Sequence, residues 1–113
     1  MHEMSLAESV REIVDETARG NGARRVSLVR LEIGRLAQIE PHAMRFAFEV
    51  VKRGSLAEES RLEIVEVDGS AWCLGCSQPV TINQRGDACP HCGSYQLQVN
   101  GGDRMRVMDI EID

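Results

Sequence analysis

The sequence predicts an α+β fold: two helices packed on a three-stranded mixed sheet, with a cysteine-rich module inserted before the last strand. Three observations carry this reading. Two segments show apolar residues at helical spacing, three show strand-like alternation, and all four cysteines fall late in the chain as two C-x2-C pairs.

The first helix is expected over residues 4–19, where Leu6, Val10, Ile13, Val14 and Thr17 recur on one face and charged residues fill the other. Ser5 followed by Glu8 matches a capping box, and Gly20-Asn21-Gly22 supplies a stop. Residues 25–34 alternate, with Val29, Leu31 and Ile33 on one side, and predict a strand. In EPHAMRFAFEVVKRG, Pro41 suits a first helical turn and Gly54 a C-terminal cap. Met44, Phe48 and Val51 share a face there, with Ala47 beside them. A second strand is expected over 60–68 and a third over 104–112. A strand-helix-strand crossover over 25–68 favours a right-handed parallel connection if both strands share a sheet. Breaks at Asp68-Gly69-Ser70 and at NGGD (100–103) divide the chain into a body, 1–68 plus 104–113, and a module, 69–103.

Composition narrows the function. Aromatics are only 4% of the chain, so the core must be aliphatic. The formal charge of −5 argues against nonspecific nucleic-acid binding, which needs a basic stripe. Between Gly69 and Asp103 the only arginine is Arg85, set against Asp87 and Asp103. No apolar run of about 18 residues predicts a membrane span. The first ten residues carry two acids and no basic n-region, unlike a secretory signal, so a cytoplasmic protein with reduced cysteines is expected. No Ser/His/Asp set, paired-acid pocket or phosphate-binding glycine loop points to catalysis, so the chain is expected not to be an enzyme.

The module reads WCLGC at 72–76 and CPHC at 89–92, giving C-x2-C-x12-C-x2-C. Four thiolates from two turns make a closed tetrahedral cage suited to structural zinc, as in a zinc ribbon. A rubredoxin-like iron centre and redox disulfides are the alternatives. Cys73, Cys76, Cys89 and Cys92 are the expected ligands. His91 sits between two of them and is expected on the surface. Trp72 is expected to pack over the knuckle. The module's few large apolar residues, chiefly Trp72, Val80, Ile82, Tyr95, Leu97 and Val99, could not hold it folded without metal.

The chain starts Met-His-Glu. A free amine, the next amide nitrogen and the His2 imidazole can close two fused chelate rings on one metal. Three such nitrogens in a plane suit Ni(II) or Cu(II) better than zinc. Met1 and His2 would supply these donors, with Glu3 as a fourth donor or a supporting group.

The combination resembles the HypA/HybF family of hydrogenase maturation factors. The resemblance is carried by MHEMSLAESV at the start, RVSLVRLEIG at 25–34, FAFEVVKRGSLAEESRLEI at 46–64, the two cysteine motifs and the closing MDIEID. It implies a nickel metallochaperone that takes Ni(II) at Met1, His2 and Glu3 and holds Zn(II) at the four cysteines. It also implies delivery of nickel, with the GTPase HypB, to the large subunit of [NiFe]-hydrogenase. A homodimer is allowed, whereas nucleic-acid and membrane partners are not expected. Some relatives bring an acid after the first strand towards nickel. Here Gln38 or Glu40 would have that task, and His42 follows on the helix.

Overall fold

The computed structural model describes residues 2–113. In chain order they form α1 (His2–Gly20), β1 (Val26–Gly34), a 3-10 turn (Arg35–Ala37), α2 (Pro41–Val51), β2 (Arg61–Val67), β3 (Gly69–Cys73), β4 (Gln78–Ile82), β5 (Leu97–Gly101) and β6 (Met105–Ile112). Two three-stranded sheets result, ordered β2-β1-β6 and β4-β3-β5.

Helix α1 starts two residues earlier than its apolar spacing suggested. Its buried face is Ala7, Val10, Val14 and Ala18, joined by Glu3 and Asp15. Ile13 is half exposed and Thr17 lies in solvent, so the expected stripe is rotated. Counting only large apolar residues hid the two alanines, whose small side chains let a neighbouring element approach closely. The Ser5–Glu8 capping box is not formed, because Ser5 lies inside the helix, where its carbonyl accepts from Ser9 Oγ. The stop is as read. Ala23 N–H donates to Ala18 C=O and Gly22 N–H to Arg19 C=O, with Gly22 at φ +69°, a Schellman closure.

Pro41 opens α2, and the Glu40 carboxylate caps it by accepting from Ala43 N–H. Met44, Ala47 and Phe48 are buried, while Val51 is only half-buried. The two helices pack on each other. Arg11 donates to Val51 C=O, and Asp15 accepts from Leu56 N–H. Arg45 of α2 donates to Leu62 C=O on β2.

Strand β1 is the centre of the first sheet. Its buried residues run Val26, Leu28, then Val29, Leu31, Ile33, so the alternation slips by one between Leu28 and Val29. Strand β6 runs antiparallel to it: Asp113 N–H donates to Arg25 C=O, and Gly34 N–H to Arg104 C=O. Strand β2 runs parallel to it. Arg25 meets Glu59, Arg30 meets Glu63, and Arg35 meets Glu66 and Asp68, so the partners advance together. The expected mixed sheet is therefore present, and β1 and β2 are connected through α2.

The inserted segment contains more regular structure than its turn-rich text suggested. Strands β3, β4 and β5 make an antiparallel sheet with Ala71 opposite both Val80 and Val99. By packing, the chain divides into two compact units. The first takes in residues up to 32, with 39–65 and 106–113; the second holds 33–38 and 66–105. Segment 33–38, which the sequence division gave to the body, thus packs with the cysteine unit. The reason is Leu36, which is buried in one cluster with Ala71, Val80, Ile82, Cys73 and Cys89. Glycine is required at this packing: a Cβ on Gly69 would lie 2.5 Å from Leu36 Cγ.

Candidate metal centre

The four cysteines converge from two turns built alike. In the first, Cys73 ends β3, Ser77 N–H donates to Cys73 C=O, and Ser77 takes a left-handed φ of 54°. In the second, Gly93 N–H donates to Cys89 C=O, with Gly93 at φ +77°. Each C-x2-C loop is thus closed by a residue with positive φ directly after its second cysteine. Gly93 adopts that conformation without strain, and Ser77 does so at some cost. Cys89 N–H donates to Ser94 C=O, and Leu74 N–H to Gln96 C=O.

The sulfur of Cys73 lies 3.6 Å from that of Cys92, and Cys76 Sγ lies 3.8 Å from Cys89 Sγ. All four Sγ atoms fall within 4.8 Å of one another. A tetrahedron of thiolates at zinc–sulfur distance has edges of about 3.8 Å, so the donor set fits zinc in both number and spacing. The space is also shaped: a Cβ on Gly75 would meet Ser94 Cβ at 2.8 Å and Cys92 Sγ at 3.3 Å. Gly75, Ser77 and Ser94 therefore belong to the site, although the cysteine spacing alone does not single out the two serines.

The sulfurs are not equivalent. Burial pushes the Cys76 thiol up to about 12, reinforced by the neighbouring thiols. Burial acts on Cys89 in the same direction, but N–H groups of Cys92 and His91 point at its sulfur and bring it down to about 6. The His91 amide lies 3.4 Å from that sulfur. A metal here binds thiolates, so its uptake releases protons from these thiols. The His91 side chain is exposed, as expected. Trp72 does not cover the knuckle. It alternates to the opposite face of β3 from Ala71 and Cys73 and is 40% exposed; Tyr95 is more exposed still. The module's core is smaller than its apolar count implied.

The N-terminal donors are placed differently. Met1 lies outside the described residues. His2 is exposed at the first residue of α1, and Glu3 is buried, with their side chains 3.9 Å apart at His2 Nε2 and Glu3 Oε2. Glu40 is engaged as the α2 cap, whereas Gln38 and His42 are exposed. Among the described residues, only the four cysteines bring three or more potential ligands together. No helix of these residues is long and apolar enough to cross a membrane.

A family profile described as "Hydrogenase/urease nickel incorporation, metallochaperone, hypA" matches residues 1–112. The chain is 56% identical, over all 113 residues of both proteins, to a hydrogenase maturation factor HypA of Azotobacter chroococcum mcd 1. It is 54% identical, again end to end, to that of Azotobacter vinelandii. The solution structure of the Ni metallochaperone HypA from Helicobacter pylori superposes with a TM-score of 0.73 at 27% identity, covering 99% of this chain and 97% of that one. These are metallochaperones, not enzymes, and with a matching profile over nearly every residue and relatives above half identity, the chain belongs to the HypA family of hydrogenase maturation factors.

Proposed function

We propose that this chain is a cytoplasmic nickel carrier that binds Ni(II) at Met1, His2 and Glu3. It passes the ion, with the GTPase HypB, to the large subunit of [NiFe]-hydrogenase. Zn(II) at Cys73, Cys76, Cys89 and Cys92 has a separate, structural role.

The observation that carries the nickel reading is that α1 begins at His2. The first four N–H groups of a helix have no intrahelical acceptor. The His2 amide can therefore lose its proton to a metal without breaking a helical hydrogen bond. Helical geometry also fixes the backbone between the amide and the two side chains, which lowers the ordering cost of chelation. A helix N-terminus by itself disfavours a cation. The deprotonated amide and the Glu3 carboxylate reverse that local sign. The cysteine cage, by contrast, presents four soft donors and leaves no open position, which suits retention rather than transfer.

Nickel titration of zinc-loaded protein by calorimetry and absorption tests this division. The native chain should take up one Ni(II) without releasing zinc. His2→Ala removes the imidazole and its six-membered ring, and should weaken nickel binding at least tenfold with zinc content unchanged. Zinc displacement by the first equivalent of nickel would place both metals at the cysteines and refute the reading.

A further inference from the structure

Between Gly69 and Asp103, Arg85 is the only lysine or arginine, and its loop is built to hold it. The Asp87 carboxylate accepts from the N–H groups of Asn83 and Gln84, and Gly86 at φ +92° reverses the chain. Asp87 is thereby spent on its own loop. Arg85 instead reaches back to the 3-10 turn, where its Nε–H donates to Leu36 C=O at 3.3 Å. A guanidinium anchored at Nε keeps its two terminal nitrogens as an oriented fork of donors. Among the described residues that fork has no partner and Arg85 makes no ion pair. Arg85 lines a cavity of about 250 Å³ with Arg35, Leu36, Gln38 and Gln84. Gln38 takes a left-handed φ of 59°, uncommon for a residue with a long side chain, and it borders the same space.

We propose that this cavity binds a single carboxylate, gripped end-on by the Arg85 fork, with the Gln38 and Gln84 amides as flanking donors. The ligand class follows from geometry and charge. A planar fork of two N–H donors matches the two oxygens of a carboxylate. Arg35 is not available in the same way, because its Nε donates to Asp68 at 2.8 Å and its Nη1 lies 3.8 Å from Glu66. These two acids more than cancel Arg35, so the attraction rests on Arg85 alone. One unpaired cation suits a monoanion, whereas a phosphate dianion would bring a second charge towards Asp68 and Glu66. The site is open to solvent, so binding is weak and falls as salt rises.

Nuclear magnetic resonance of the zinc-loaded full chain tests this, reading the Arg85 Nε–H and the Gln38 and Gln84 side-chain amides. Three probes are titrated at matched ionic strength: propionate, inorganic phosphate, and a blocked Gly-Glu-Gly peptide. Propionate should shift all three groups together and bind more tightly than phosphate. Equal response to the peptide assigns the site to acidic side chains of a protein, and response to propionate alone assigns it to free small acids. Arg85→Lys keeps the charge but loses the fork, and should weaken propionate at least fivefold with zinc still bound one to one. Asp68→Asn releases Arg35 and should strengthen propionate several-fold, which a role for Arg85 as a mere cap on the 3-10 turn does not predict. Tighter binding of phosphate than of propionate, shifts spread alike over every arginine, or an Asp68→Asn variant that binds no better than the native chain overturns the proposal.

Discussion

The two sheets of this molecule are held by different physics. In the first, β1 buries Leu28, Val29 and Leu31, and α2 buries Met44 and Phe48, all nearly inaccessible to solvent. Ion pairs link its strands across one face: Arg30 on the central strand spans from Glu63 on β2 to Asp109 on β6, and Arg25, just before β1, reaches Asp113. In the second, the buried cluster is Leu36, Ala71, Val80 and Ile82 with two cysteines. Its aromatic residues, Trp72 and Tyr95, face outward. The contrast teaches where metal is needed. A unit with a fully buried phenylalanine and many branched aliphatics can fold on burial alone, whereas a unit whose small buried cluster includes two of its four cysteines is expected to need a metal.

The largest expected effect breaks the second unit alone. Cys73→Ala removes one of four ligands, and structural zinc in small modules contributes on the order of 10 kcal/mol of apparent binding energy. Amide protection across 66–105 should collapse, while the circular dichroism of α1 and α2 persists. Complete loss of helix would show that the units do not fold separately.

The converse substitution is Phe48→Ala. This side chain is 0% exposed, and truncating a buried phenylalanine costs about 3–5 kcal/mol. The helical melting transition should fall steeply, while Co(II) substituted for zinc keeps its tetrahedral thiolate absorption. Loss of that absorption would mean the two cores are coupled.

A third and smaller effect separates the ion pairs from the core. Hydrogen bonds from Arg30, then Arg61, hold the Glu63 carboxyl below its ordinary value. A depressed folded-state pKa stabilises the fold above the unfolded value, near 4.5, and that stabilisation is lost as pH falls through the lower folded value. Glu63→Gln should therefore be slightly less stable than native at pH 7 and equal to it in strong acid. An unchanged difference across that range would assign the effect to packing instead. Both groups are at the surface, so the shift should be small.

The same contrast explains what the sequence made legible. Helix α2 and strands β1, β2 and β6 are long and periodic, and their spacing located them. The cysteine cage followed from chemistry, because two C-x2-C pairs at this spacing match the ligand pattern of a four-thiolate metal site. Strands β3, β4 and β5 are five residues each, and two of them abut cysteine turns, so no periodicity could emerge. The buried face of α1 was misplaced because it rests on Ala7 and Ala18, which patterns of large apolar residues pass over. Leu36 sits in a 3-10 turn beyond β1, and only tertiary packing shows that it belongs with the cysteines. At the N-terminus the donors are readable as chemistry, whereas the burial of Glu3 is not, because a charged residue gives no signal of facing inward.

The proposed nickel and zinc sites differ in chemistry, and the nickel site would use the Met1 amine. Two residues added before Met1 leave every native side chain in place but convert the terminal nitrogen into an ordinary amide. The five-membered amine chelate is then lost, and His2 and Glu3 alone hold Ni(II) weakly. Calorimetry on this extended, zinc-loaded protein should show nickel affinity reduced at least tenfold from the native chain, with zinc still bound one to one. Nickel affinity equal to that of the native chain would contradict the account, because the amine would then have no part in the site.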